Sequence, residues 1–140
     1  MAEQVRGQLS MRPHKATLER LRQRARLSGE PRTTLAERYL DEGLLMDEVP
    51  GIHFVDGPMG RRPALMGSGL DVWEVVKVVK DSGSVEEAAA YLEVEPRLVE
   101  LAHRCYGSNR QEIDDWIARV HELSELEEAR WRAAQEAIGA

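Results

Sequence analysis

The sequence predicts a mainly α-helical protein that begins with one short strand, carries a small β-hairpin in its middle and ends on a long helix. Three observations support this fold class. Apolar residues recur at spacings of three and four over most of the chain, which indicates amphipathic helices. Glycine and proline cluster between residues 46 and 69, where the helical spacing stops. Residues 5–12 alternate between apolar and polar side chains, which is the period of a strand.

The charge of the chain is unevenly distributed. Its 140 residues carry a formal net charge of −6, and 42% of them are hydrophobic, which predicts a folded chain. Residues 1–45 hold nine Lys/Arg against six Asp/Glu, whereas residues 46–140 hold ten against nineteen. This split predicts a basic head that meets an anion. One cysteine, no signal peptide and no long apolar run predict a cytoplasmic protein that does not enter a membrane.

The first element is the alternating segment at residues 5–12. Its apolar side chains can face one side, and its polar face comprises Arg6, Gln8, Ser10 and Arg12. Guanidinium, amide and hydroxyl groups can hydrogen-bond base edges in the DNA major groove, so this face is a candidate DNA reader. The alternative interpretation is an ordinary dimerisation arm with a solvated basic face.

A short helix is predicted after Pro13, over residues 15–27. Its narrow apolar stripe consists of Leu18, Leu21 and Ala25. Gly29 is expected to end this helix, because glycine tolerates the left-handed conformation that follows a helix end.

A second helix follows, with Thr33 or Thr34 as its expected cap and Glu37 available to complete a capping box. Its apolar face comprises Leu35, Ala36, Tyr39, Leu40 and Leu44. One strand and two short helices are too small to bury a core, and domains below about 40 residues usually need staples or a partner. With neither a disulfide nor a metal site in view, we expect this head to dimerise.

The head also follows a known pattern of residues. The pattern runs through the strand, Pro13, Leu18-Glu19-Arg20-Leu21, Gly29 and Arg32-Thr33-Thr34-Leu35. It resembles the ribbon-helix-helix fold, in which an intertwined homodimer inserts a two-stranded ribbon into the major groove. The resemblance implies that Arg6, Gln8 and Ser10 face bases. It also implies that backbone N–H groups near Thr33 and Thr34 hold a DNA phosphate.

The middle of the chain is predicted to be a hairpin followed by three helices. Residues 52–55 and 63–66 are the candidate strands, with a turn at 56–58 between them. Asp71 is expected to cap the next helix and Ser84 the one after, each with a glutamate three residues on. A third helix restarts at Glu95-Pro96, so residues 84–106 resemble a helix-turn-helix. Glutamates offset its basic side chains, which favours a structural unit over a second DNA reader.

Residues 60–116 follow a second pattern. It runs through Gly60-Arg61-Arg62-Pro63, Gly67-Ser68-Gly69-Leu70-Asp71-Val72-Trp73-Glu74, Ser84-Val85-Glu86-Glu87-Ala88-Ala89 and Glu112-Ile113-Asp114-Asp115-Trp116-Ile117. This region resembles a small uncharacterised bacterial and archaeal domain family. Members are often encoded beside PIN-like ribonuclease toxins and resemble VapB-like antitoxins. The resemblance implies a PIN-like toxin as a partner.

The last element is a long amphipathic helix that begins near residue 109. Its apolar stripe runs from Ile113 to Ile138, interrupted by Glu127. No later apolar segment of the sequence is available to cover the end of this stripe, which is typical of a partner site. The candidate toxin-binding residues are Trp116, Leu123, Glu127, Arg130, Trp131, Arg132 and Ile138. The alternatives are that the helix folds back on its own chain, zips with the dimer mate or frays.

Catalytic chemistry is not expected. Four histidines are dispersed, the glycines make no phosphate-binding loop and the carboxylates form solvated faces, so we predict no catalytic residues, metal or cofactor. We expect a ribbon-helix-helix head at 1–46, a hairpin and helix-turn-helix-like domain at 47–108 and an amphipathic helix at 109–140. The expected function is an antitoxin that represses its own operon by binding operator DNA as a homodimer. The alternative is a stand-alone dimeric transcription regulator whose acidic domain oligomerises or senses a ligand.

Overall fold

The computed structural model describes residues 5–139, and the chain divides into two compact units, the first ending at Gly43 and the second beginning at Leu44. The described residues form six helices and one two-stranded antiparallel sheet. The predicted class, mainly helical with a small hairpin and a long C-terminal helix, is therefore confirmed. The ribbon and the dimer are not part of a single chain and stay predictions.

The first unit contains α1 (Lys15–Ser28) and the first part of α2 (Arg32–Glu48). Gly29 ends α1 as predicted, with a φ of 72° and its N–H donating to the Ala25 carbonyl at 3.0 Å. Residues 5–14 form neither helix nor strand. A strand needs a neighbouring backbone for its hydrogen bonds, and the described part of the single chain provides none here.

The start of α2 differs from the prediction. The helix begins at Arg32, and the Pro31 carbonyl accepts the first helical hydrogen bond, from the Leu35 N–H at 3.0 Å. Thr33 and Thr34 therefore lie inside the first turn and do not cap it. Glu37 does not complete a capping box, because its carboxylate accepts hydrogen bonds from Arg6.

The hairpin opens the second unit, with β1 (Ile52–Gly57) paired to β2 (Gly60–Leu65). Ile52 lies opposite Leu65 and Gly57 opposite Gly60, so a two-residue turn joins the strands. The predicted turn at 56–58 was placed too early, because residues 56 and 57 continue the first strand. Gly60 has a φ of 123°, a backbone conformation that glycine adopts without strain.

Three helices pack behind the hairpin: α3 (Val72–Ser82), α4 (Val85–Leu92) and α5 (Pro96–Ser108). Both predicted N-terminal signals are confirmed. The Asp71 N–H donates to Glu74 Oε1 at 3.2 Å, and the Ser84 hydroxyl accepts from the Glu87 N–H at 3.1 Å. The core contains Leu45, Val49, Ile52, Leu65, Val72, Val75, Val76, Ala88, Ala89, Val99, Ala102, Cys105 and Ile113.

The last helix, α6 (Arg110–Gly139), has 30 residues and belongs to the second unit. Its first part is anchored by Ile113 and Trp116, which are both buried. Asp114 adds a polar anchor, since Lys80 Nζ and the Tyr106 hydroxyl donate to its Oδ1 at 2.9 and 2.8 Å. These hydrogen bonds, that of Lys80 foremost, hold the pKa of Asp114 below its ordinary value.

Asp71 ties the hairpin to α3, and its loss is expected to destabilise the second unit. Its Oδ2 accepts from the Arg62 guanidinium and from Trp73 Nε1, while its side chain is only 13% exposed. Asp71→Ala leaves both donors without this acceptor and removes a helix cap, so we expect the free energy of unfolding to fall by about 2–3 kcal/mol. Urea denaturation measures it. Asp81→Ala, which removes an exposed carboxylate, is the control and should change little. Equal effects of both substitutions would contradict this role of Asp71.

Candidate nucleic-acid and partner interfaces

The candidate DNA-reading segment is solvent-exposed throughout residues 5–14. Arg6, Gln8, Ser10 and Arg12 are therefore all solvent-accessible, as a base-reading face requires. The apolar side chains of the same segment are also uncovered, with Val5 92% and Leu9 69% exposed. A lone segment of this kind gains nothing from exposing apolar side chains, whereas pairing with a second copy would cover them.

Arg6 already has a partner within its own unit. Its Nη2 donates to both carboxylate oxygens of Glu37, at 2.9 and 2.8 Å. The two side chains are 78% and 54% exposed, so the pair contributes little to stability and is easily exchanged. A base edge that replaced Glu37 would have to compete with a geometrically good carboxylate. The sequence pattern did not indicate this contact, because the two residues lie 31 positions apart.

The first unit also contains an open apolar groove of about 1070 Å³. Apolar side chains on its wall include Leu9, Met11, Leu18, Leu21, Leu27, Ala36, Tyr39 and Leu40. None of the α1 side chains is buried, although the helix carries the predicted apolar stripe. Leu35, 1% exposed, is the buried hydrophobic side chain among the described residues of this unit. The first unit thus exposes most of its apolar side chains and does not pack them into a core.

Thr33 and Thr34, the expected phosphate-binding positions, lie in the first turn of α2 and are exposed. Backbone N–H groups in a first helical turn have no partner inside the helix, so they can donate to an anion. The corrected helix start therefore keeps the N–H groups of this turn available, although the threonine side chains do not cap the helix.

The distal segment of α6, residues 121–139, is exposed at every position. It carries large apolar side chains that include Leu123, 42% exposed, Trp131, 63% exposed, and Ile138, 82% exposed. Within the second unit, the described residues do not cover this segment. Leu126, 45% exposed, is not among the predicted partner residues, although its spacing of three from Leu123 indicates the same helix face. Partner binding and pairing with a second copy remain open for this segment.

The charged residues among the toxin-binding candidates form ion pairs within α6 itself. Arg130 donates to Glu127 at 2.9 Å, and Arg132 donates to Glu128 at 2.5 Å. These pairs are exposed and join residues three or four apart, so each is worth only a few tenths of a kcal/mol (about 0.2–0.5). Both guanidinium groups can therefore turn to an acidic partner at small cost.

Trp116 lies in the anchored part of α6 and is 8% exposed. It lines a cleft of about 560 Å³ within the second unit, together with Trp73 and Arg119. The Arg119 guanidinium lies 4.8 Å from the centre of the Trp116 ring, within the range of a cation–π contact. Of the candidate partner residues, Trp116 is thus placed apart from the exposed distal segment.

The helix-turn-helix-like unit keeps its basic side chains engaged. Arg97 pairs with Glu95 at 2.6 Å, and Arg104 donates to the Glu48 carbonyl at 3.2 Å. On its inner side, Cys105 is fully buried, and burial raises the pKa of its thiol to about 11. The thiol is therefore protonated at neutral pH and packs as a small hydrophobic group.

Over residues 5–139, no group of three His, Cys, Asp or Glu side chains is arranged to hold a metal ion. Within the same range, no helix combines the length and the apolar character that crossing a bilayer requires. No protein-family model, no curated protein and no solved structure matches this chain.

Proposed function

We propose that this chain is the antitoxin of a type II toxin–antitoxin pair, a homodimer that binds operator DNA with its first unit and a PIN-like ribonuclease toxin with its second. The observation that carries the proposal is the apolar groove of the first unit, which the single chain leaves open beside an exposed basic segment. A small domain that exposes this much apolar surface folds stably only when a partner covers it.

A second copy is the partner that best fits the first unit. The alternating segment at 5–12 has unpaired backbone groups, and two such segments can hydrogen-bond to each other about a two-fold axis. Their pairing keeps Leu9 and Met11 toward the groove, where both already lie. Arg6 would exchange Glu37, on the groove wall, for a place beside Gln8 and Ser10 on the opposite side. That side is polar and fits the major groove of DNA.

Toxin binding is assigned to the distal segment of α6. Its apolar side chains are exposed on a preformed helix, and such a helix binds by laying its apolar face into a groove of the partner. A PIN-like nuclease has an acidic active site that binds divalent metal. Arg130 or Arg132 can exchange its glutamate for those carboxylates and block the site, because guanidinium–carboxylate pairs are short and directional.

Co-expression tests this function directly. We expect a tagged chain, produced with the gene that neighbours it, to co-purify with a PIN-like nuclease and to suppress its ribonuclease activity. The same complex should protect a two-fold symmetric site upstream of the operon from nuclease digestion. A neighbouring protein that neither co-purifies nor loses activity would overturn the antitoxin assignment.

A second candidate function is a stand-alone regulator that senses a ligand. The cleft beside Trp73 and Trp116 favours it, since a volume of about 560 Å³ lies in the range of small-molecule sites. A small molecule that binds in this cleft and changes the operator affinity of the chain would support this candidate over the antitoxin.

A further inference from the structure

The arginines that alternate along α1 lie on two different faces of the helix. Residues two apart on a helix point in nearly opposite directions, whereas residues four apart share a face. Arg20 and Arg24 accordingly line the apolar groove. Arg22 and Arg26 line a separate cleft of about 690 Å³.

This second cleft, which we call the arginine cleft, gathers three guanidinium groups within the first unit. Its lining consists of Glu19, Arg22, Ala25, Arg26, Arg32 and Thr33, so it lies between α1 and the first turn of α2. Arg22 approaches Glu19 only at 3.9 Å, with both side chains more than half exposed. In the described part of the chain, Arg26 and Arg32 make no ion pair. The arginine cleft therefore has an excess of two positive charges.

Such an arrangement is electrostatically unfavourable without an anion. Arg22 and Arg26 are four residues apart, and like charges at this spacing destabilise a helix. Arg32 adds a third positive charge from another helix. An anion that enters the arginine cleft relieves this repulsion and finds forked N–H donors, which match the geometry of a phosphate.

We infer that the arginine cleft binds the phosphate backbone of DNA, at a place separate from the base-reading segment. The inference rests on the proposed DNA-binding function of the first unit and extends it to α1, whose arginines the sequence left unassigned. The arginine cleft lacks an aromatic wall on which an unpaired base could stack, which favours a duplex backbone over a single strand. Its contribution is therefore independent of base sequence.

The test is a double variant, Arg22→Gln with Arg26→Gln. It is titrated at several salt concentrations with a random-sequence duplex and with a duplex taken from the region upstream of the operon, called the upstream duplex. We expect both affinities to fall by about 10- to 100-fold at ~0.1 M salt. The slope of log affinity against log salt should become shallower by about two per protomer, because two phosphate contacts are lost. The control is Lys77→Gln with Arg97→Gln, which removes the same charge from exposed pairs of the second unit and should leave both affinities unchanged.

Light scattering should show that the Arg22→Gln/Arg26→Gln variant has the same mass as the parent protein. If this variant still binds the upstream duplex and its salt slope is unchanged, the arginine cleft does not bind phosphate. The proposed DNA-binding function of the first unit would not be affected by that result. If the parent protein binds both duplexes with equal affinity and the variant binds neither, the arginine cleft is supported. That result would at the same time contradict the proposed sequence-specific recognition of the operator. A parent protein that binds no duplex at low salt would overturn both.

Discussion

Leu40→Asp is expected to abolish dimerisation and, with it, binding to the operator. Leu40 lines the apolar groove of the first unit and is 43% exposed in the single chain, so an aspartate there is solvated in the monomer. In the proposed dimer the same carboxylate is buried without a partner, which costs about 3–5 kcal/mol for each copy. The dimer should dissociate and the first unit should lose its fold with it, because that unit folds stably only when a partner covers the groove, while the second unit keeps its own core. Sedimentation equilibrium and operator titration measure the two effects.

The matched control for this prediction is Tyr91→Asp. Tyr91 is 78% exposed on α4 of the second unit and lies outside the apolar groove, so the same kind of change should leave mass and operator affinity as they were. A Leu40→Asp protein that sediments as a dimer and binds its operator would show that the groove is not the dimer interface. The proposed ribbon would then lose its main physical support.

The second large effect is expected at the distal segment of α6, where Trp131→Ala with Ile138→Ala should weaken toxin binding by at least 100-fold. Buried aromatic side chains dominate most interfaces, and truncating one at a hot spot costs about 2 kcal/mol or more. Because both side chains are exposed in the single chain, their loss should hardly change the free energy of unfolding. Calorimetric titration with the purified nuclease measures the affinity.

Tyr91→Ala is the control here, since it removes an exposed aromatic side chain from a surface with no proposed partner. Operator affinity should be equal in the double variant and the parent protein, because the distal segment belongs to the second unit. If toxin affinity is unchanged while the mass of the protein falls, the distal segment pairs with a second copy. That result would reject toxin binding at this helix.

Local sequence signals predicted the ends of several elements correctly. Gly29 ends α1, and the Asp71 and Ser84 signals begin α3 and α4, because a cap depends on residues within one turn of the helix end. The same reasoning was wrong at Thr33 and Thr34, where Pro31 precedes the first turn instead. Neighbouring residues can each serve as the helix cap, so the start of a helix can shift by one or two positions. The sequence pattern alone does not determine which of these positions is used.

Contacts between residues that are distant in the chain could not be predicted from local sequence patterns. Tertiary packing brings Arg6 to Glu37. It also places Arg32 of α2 in the same cleft as Arg22 and Arg26 of α1. The sequence pattern predicted a DNA-reading role for Arg6 and left the arginines of α1 unassigned. Helical geometry made Arg22 and Arg26 neighbours, but only packing placed a third arginine beside them.

The spacing of side chains along a repeating backbone was enough to predict the helical class, the two-residue period of the basic segment and the apolar stripe of α6. Which apolar surfaces are covered depended instead on how the elements pack. The stripe of α6 is buried as far as Trp116 and exposed from residue 121 onward, and the stripe of α1 has no buried side chain. Periodicity tells where apolar side chains point, whereas burial depends on whether another element of the chain reaches them.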